Sequence, residues 1–117
     1  MAVSVNGRTI QTDVEGYLCN PEDWDEDVAR AIADRQGIEL DEERWALVRF
    51  FREYYEDHNG VHPSMHRLLR WREQQDGRPF EDEKIYRDHL YELFPRGPIQ
   101  TLTRLAGLPA PVEEVEE

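Results

Sequence analysis

Apolar positions along the chain change period at a few sharp points. Val3, Val5 and Ile10 alternate with polar residues on either side of Asn6-Gly7. Both central positions of a type I′ turn need positive φ, so residues Val3–Gln11 read as a small β-ribbon. From Pro21 onward the period becomes helical. Val28, Ala31 and Ile32 form one face of a short helix that starts near Asp25 and stops at Gly37, the residue suited to a left-handed C-cap. Asp41 caps the next helix, with Glu42 and Glu43 in its first turn, and the pattern runs to about Asn59 before Gly60. Trp45, Leu47, Val48, Phe50, Phe51, Tyr54 and Tyr55 cover most of its circumference. That coverage predicts the central helix of the core.

Pro63 and Ser64 open a third helix, with Met65, Leu68 and Leu69 facing inward, that ends around Gln75 before Asp76-Gly77. A fourth runs from about Asp82 to Phe94 with a stripe of Ile85, Tyr86, Leu90, Leu93 and Phe94. Pro95-Arg96-Gly97-Pro98 breaks it. A last short helix spans Ile99 to Ala106, with Leu102 and Leu105 inward. It stops at Gly107, and beyond it Pro109, Pro111 and four glutamates form an acidic tail, expected to be extended and mobile.

Composition narrows the function classes. The chain has 117 residues, room for one domain, and 14 basic against 26 acidic residues give a net charge of −12. Coating of nucleic acid or anionic lipid by the whole surface is disfavoured, and any such contact must be local. Residues 13–43 hold twelve acids and two bases, a net of −10, while residues 62–72 hold Arg67, Arg70 and Arg72 with His62 and His66 and no acid. The third helix is therefore the basic surface. No apolar stretch approaches the length of a membrane span, and the start of the chain lacks a signal-peptide pattern, so a cytoplasmic protein is expected. A single cysteine, Cys19, excludes an internal disulfide and every multi-cysteine zinc pattern.

No H-E-x-x-H, Ser elbow or Gly-rich phosphate loop occurs, and no cofactor is called for. Acid pairs such as Glu42/Glu43 are explained by capping, which argues against a stand-alone enzyme. His58, His62 and His66 repeat every four residues, but Asn59-Gly60 and Pro63 interrupt any helix that would align them on a metal. Cys19, lacking a neighbouring cationic group, reads as a small buried hydrophobe. The stronger constellation is the Asp41–Asn59 helix, the turn at Gly60-Val61-His62-Pro63, and the helix bearing His66, Arg67, Arg70 and Arg72. This layout suggests a helix-turn-helix that reads duplex DNA. The competing reading is a plain helical hairpin whose outer arginines pair with the acidic first helix or meet an acidic protein partner. At this net charge the second is favoured.

Several segments in order resemble the DsrC/TusE family of sulfur-relay proteins. They are the Asn-Gly hairpin, Thr12-Asp13-Val14-Glu15-Gly16-Tyr17-Leu18, Trp45 with Val48-Arg49-Phe50, Leu93-Phe94-Pro95-Arg96-Gly97-Pro98, and Ala106-Gly107-Leu108-Pro109-Ala110-Pro111. The resemblance implies a mainly α, small orthogonal bundle of about five helices with an N-terminal β-hairpin. It places a domain over residues 1–109 and a flexible C-terminal arm over 110–117. Family members carry sulfur as a persulfide on a cysteine near the end of that arm, in tRNA 2-thiouridine synthesis or with siroheme sulfite reductase. By the same resemblance the carrier cysteine falls on Glu114 and the second arm cysteine of the DsrC branch on Thr103. Neither can form a persulfide. The resemblance thus implies an interaction or regulatory member with protein partners from a sulfur relay or sulfite reductase, for which His66, Arg67, Arg70, Arg72 and Arg96 are the candidate contact residues. A DNA-binding regulator and a sulfur carrier working through Cys19 are the alternatives.

Overall fold

Asn6 (φ 50°) and Gly7 (φ 80°) both occupy the left-handed region, and the turn they make pairs β1 (Ala2–Val5) with β2 (Arg8–Gln11) antiparallel, Val3 opposite Ile10. Val3, Val5 and Ile10 are buried, so one face of the ribbon closes against the helices. In this computed structural model, which describes residues 1–58 and 60–111, a further isolated bridge joins Thr12 to Leu18. Asp13 folds the intervening loop by accepting from the amides of Glu15 and Tyr17.

Five α-helices follow, preceded by a 3-10 turn at Pro21–Asp23 that the periodicity did not signal. α1 (Glu26–Gln36) begins at Asp25, whose carboxylate accepts from the Val28 amide at 2.9 Å, and ends at Gly37 in the left-handed conformation. α2 (Glu42–Asp57) is capped by Asp41, α3 (Met65–Asp76) by Ser64 and α4 (Glu83–Leu93) by Asp82. α5 (Pro98–Leu105) starts from Gly97 without a side-chain cap. No helix among the described residues is long and apolar enough to cross a membrane.

The burial pattern corrects two expectations. α2 buries a narrower stripe than its aromatic coverage predicts: Leu47, Val48 and Phe51 are inside, while Trp45, Phe50, Tyr54 and Tyr55 are half-buried. Cations cover two of these rings, Arg30 and Arg49 lying 5.2 and 5.1 Å from Trp45 and Arg52 5.5 Å from Tyr55, while Phe50 stacks on Trp71 and Tyr54 on His58. The most thoroughly enclosed element is α5, in which Ile99, Thr101, Leu102, Thr103 and Leu105 are all buried. Ile85 was expected inside α4, yet it is 70% exposed, because Leu90 and Leu93 set the inward direction and Ile85 lies well around the helix from them.

Candidate functional site

The C-terminal arm leaves the domain from the end of α5, and that end is built with unusual completeness. An α-helix leaves its final carbonyls without intrahelical donors. Here the Gly107 amide donates to Arg104 O at 3.1 Å and the Leu108 amide to Thr103 O at 3.1 Å. With Gly107 at φ 71° this is a Schellman end. The next two carbonyls are taken from outside: Trp24 Nε1 donates to Leu105 O at 2.8 Å and Arg52 Nη1 to Ala106 O at 3.2 Å. The Arg52 guanidinium also lies 5.0 Å from the Trp24 ring and 5.5 Å from the Tyr55 ring, and its Nε bonds Glu56 at 3.0 Å. A cation at this point complements the negative end of the α5 dipole. Trp24 sits so close over Gly107 that a Cβ there would fall 2.6 Å from Cγ of the indole, so only glycine fits. Leu108 is buried and Pro109 is the first exposed residue of the arm. Arg104 ties the same region to the loop between Thr12 and Leu18, donating to Glu15 O at 2.8 Å and lying 4.7 Å from the Tyr17 ring.

The positions assigned to the family's thiols are unlike one another in setting. Thr103 is fully buried in α5, its hydroxyl donating to Ile99 O at 2.7 Å. Glu114, and with it most of the tail expected to be mobile, lies outside the described residues. Cys19 is exposed, contrary to the expectation of a buried hydrophobe. Leu18 pairs with Thr12 and points into the core, so in an extended segment the next side chain faces the other way.

The basic helix also differs from expectation. Its arginines do not reach the acidic α1. Arg70 contacts Glu83 of α4 at 2.6 Å and Glu73 at 3.1 Å, and Arg72 pairs with Asp76 at 3.2 Å while lying 5.4 Å from the Tyr86 ring. His66 and Arg67 are exposed. The connector from α2 to α3 spans residues 58–64, longer than the three- or four-residue turn of a helix-turn-helix. Phe50 and Trp71 stack across the two helices at 4.7 Å. The pair is thus a packed helical hairpin, and the DNA reading gains no support. His58 closes α2 and His66 rides on α3, so the histidine repeat spans two elements. Arg96 is exposed at the edge of a cleft of about 360 Å³ that also includes Arg44, Phe94 and Thr101, apart from the α3 arginines.

Trp24 and Arg52 were missed by the sequence reading. A tryptophan after Pro21 and an arginine in a helix give no sign of carbonyls 81 and 54 positions away.

The chain matches a family model described as DsrC like protein over residues 4–115. It is 42% identical over 107 residues to the sulfurtransferase TusE of Yersinia pseudotuberculosis, covering 92% of this chain and 94% of that one. The Salmonella typhimurium TusE is 43% identical over 107 residues, with the same coverage of 92% and 94%. Among solved structures, Allochromatium vinosum DsrC superimposes with a TM-score of 0.80 at 37% identity, covering 97% of both chains. The oxidized gamma-subunit of the dissimilatory sulfite reductase from Archaeoglobus fulgidus does so at 0.82 and 34% identity, over 98% of this chain and all of that one. The family model and these relatives cover nearly the whole chain, and this protein belongs to the DsrC/TusE family of sulfur-relay proteins.

Proposed function

We propose that this protein is a partner-binding member of the sulfur-relay family that docks where a thiol-bearing relative docks but carries no sulfur on its arm. The supporting observation is chemical. Persulfide transfer needs a thiolate that attacks the outer sulfur of a donor persulfide, forming a new S–S bond while the donor leaves as a thiolate. Glu114 offers a carboxylate and Thr103 a buried hydroxyl already bonded to Ile99 O. The one thiol of the chain, Cys19, lies beside the N-terminal ribbon on a segment separate from α5 and the arm.

The candidate contact points are the arm root at Trp24 and Arg52, the exposed His66 and Arg67 of α3, and, at a separate cleft, Arg96. Arg70 and Arg72, half-buried in ion pairs, help hold α3 in place and contribute less to binding. The relatives' names point to two settings, the TusE sulfurtransferases and the DsrC subunit of sulfite reductase. A regulatory role, in which this chain occupies a relay partner without delivering sulfur, follows from the absence of the thiol.

Competition distinguishes this reading. A TusE or DsrC relative is bound to its own relay partner, and this protein is titrated in. Displacement of the relative supports the proposal. Failure to displace either relative at a large molar excess contradicts it.

A further inference from the structure

We infer that Trp24 and Arg52 are positioning residues that fix the direction in which the C-terminal arm leaves the domain. The inference deepens the reading of the arm as a partner-reaching element and rests on that reading only for the arm's role. The geometry itself stands on the end of α5. All four last carbonyls, those of Thr103, Arg104, Leu105 and Ala106, have named donors. Two of those donors are backbone amides of Gly107 and Leu108, which any Schellman end supplies. The other two come from the segment ahead of α1 and from α2, and they register the helix end against the rest of the fold.

Several contacts make this a seat for the chain rather than an isolated pair of hydrogen bonds. The indole covers Gly107 closely enough to exclude any side chain there. The guanidinium of Arg52 spans the Trp24 and Tyr55 rings and is held from behind by Glu56, so it cannot swing off Ala106 without losing three contacts. Leu108 is 1% exposed and anchors the last turn in the core. The arm therefore starts at Pro109, whose ring fixes its own φ and whose missing N–H cannot extend the α5 hydrogen-bond ladder. Position 114 lies six residues beyond Leu108, and at roughly 3.3–3.6 Å per extended residue its reach from that anchor is at most about 22 Å. A fixed exit confines this reach to partners approaching the face that carries Trp24, Arg52 and Tyr55. A sulfur-bearing relative with the same seat would deliver its thiol within the same sphere.

Amide hydrogen exchange on the full-length protein tests the seat without any partner, so its outcome is separate from that of the competition experiment. Trp24→Phe keeps an aromatic ring, smaller than the indole, and removes the N–H, and Arg52→Gln removes the cation while leaving a donor that is too short. In each variant the Gly107 and Leu108 amides should exchange about tenfold faster, with Leu68 and Leu69 of α3 unchanged. Unchanged exchange at Gly107 and Leu108 in both variants would overturn the inference. So would equal acceleration at Leu68 and Leu69, which would make the two residues contributors to general stability only.

Discussion

The rings of Phe50 and Trp71 stack 4.7 Å apart at an interplanar angle of 14°, joining the middle of α2 to the middle of α3. Next to them Phe51 is fully buried and meets Phe50 edge-on at 5.9 Å. Truncating Phe51 to Ala should cost about 3–5 kcal/mol in urea unfolding. A double-mutant cycle on Phe50 and Trp71 should give a coupling of about 0.5–1.5 kcal/mol, the range for aromatic pairs beyond their buried area. Zero coupling would mean the two helices are not held by this stack.

On α4 the structure separates two residues that the stripe placed together. Leu90 is fully buried and Ile85 is 70% exposed. Leu90→Ala should therefore cost about 2–5 kcal/mol, and Ile85→Ala should fall within about 0.5 kcal/mol of wild type. Equal losses would restore the expected inward stripe.

Asp25 offers a pH-dependent test. The Val28 amide, chief among the causes, outweighs the opposing effect of burial, and with the Arg8 guanidinium and the Asp27 amide it holds the carboxyl below the ordinary value. A depressed folded pKa contributes stability above the unfolded pKa and loses it as pH falls through the folded one. Asp25→Ala should cost about 1 kcal/mol at pH 7, and the gap to wild type should shrink as the pH drops below the ordinary aspartate range. A constant gap across that range would rule out the charged cap.

Tyr86 titrates in the opposite direction. Burial pushes its phenol up to about 12, partly offset by Arg72, while Glu43 and Asp76 add to the rise. A raised pKa gives stability that is present below the unfolded value near 10 and is lost as pH climbs toward the folded value. No partner meets hydrogen-bond geometry at its buried hydroxyl, and the nearby Arg72 guanidinium acts on it mainly through charge, so Tyr86→Phe should be neutral or slightly stabilising at pH 7. The variant should also flatten the decline of stability between pH 10 and about 12. A marked loss at neutral pH would reveal a bond that the hydroxyl makes.

Much of the fold was legible because local chemistry specifies it. Asn6-Gly7 dictates the ribbon's turn, Asp25, Asp41, Ser64 and Asp82 start four helices, and Gly37 and Gly77 stop two of them. What local patterns could not show is which apolar faces are covered by charge. Trp45 looks like core until Arg30 and Arg49 are seen over it, and Cys19 looks buried until the Thr12–Leu18 bridge fixes the alternation. The arm seat was invisible for the same reason, since Trp24 and Leu105 meet only after the chain has folded through every helix. The motif order did carry the family, because several of those motifs are turns and helix ends whose local chemistry is legible in the sequence, from the Asn6-Gly7 turn to the Gly107 end of α5.

The central claim of the proposal is that this family member carries no transferable sulfur, on its arm or on Cys19. Intact-protein and peptide mass spectrometry after incubation with a persulfide donor tests it directly, beside a TusE relative as the positive control. The relative should gain 32 Da on its arm cysteine, a mass set by one sulfur atom, while this protein should show no transferable adduct on any residue. Glu114→Cys, with Glu113, Glu116 and Glu117 neutralised so that their charges do not raise the new thiol's pKa, should gain acceptance. A +32 Da adduct on the unmodified protein, mapped to Cys19 and passed on to a relay partner, would contradict the account.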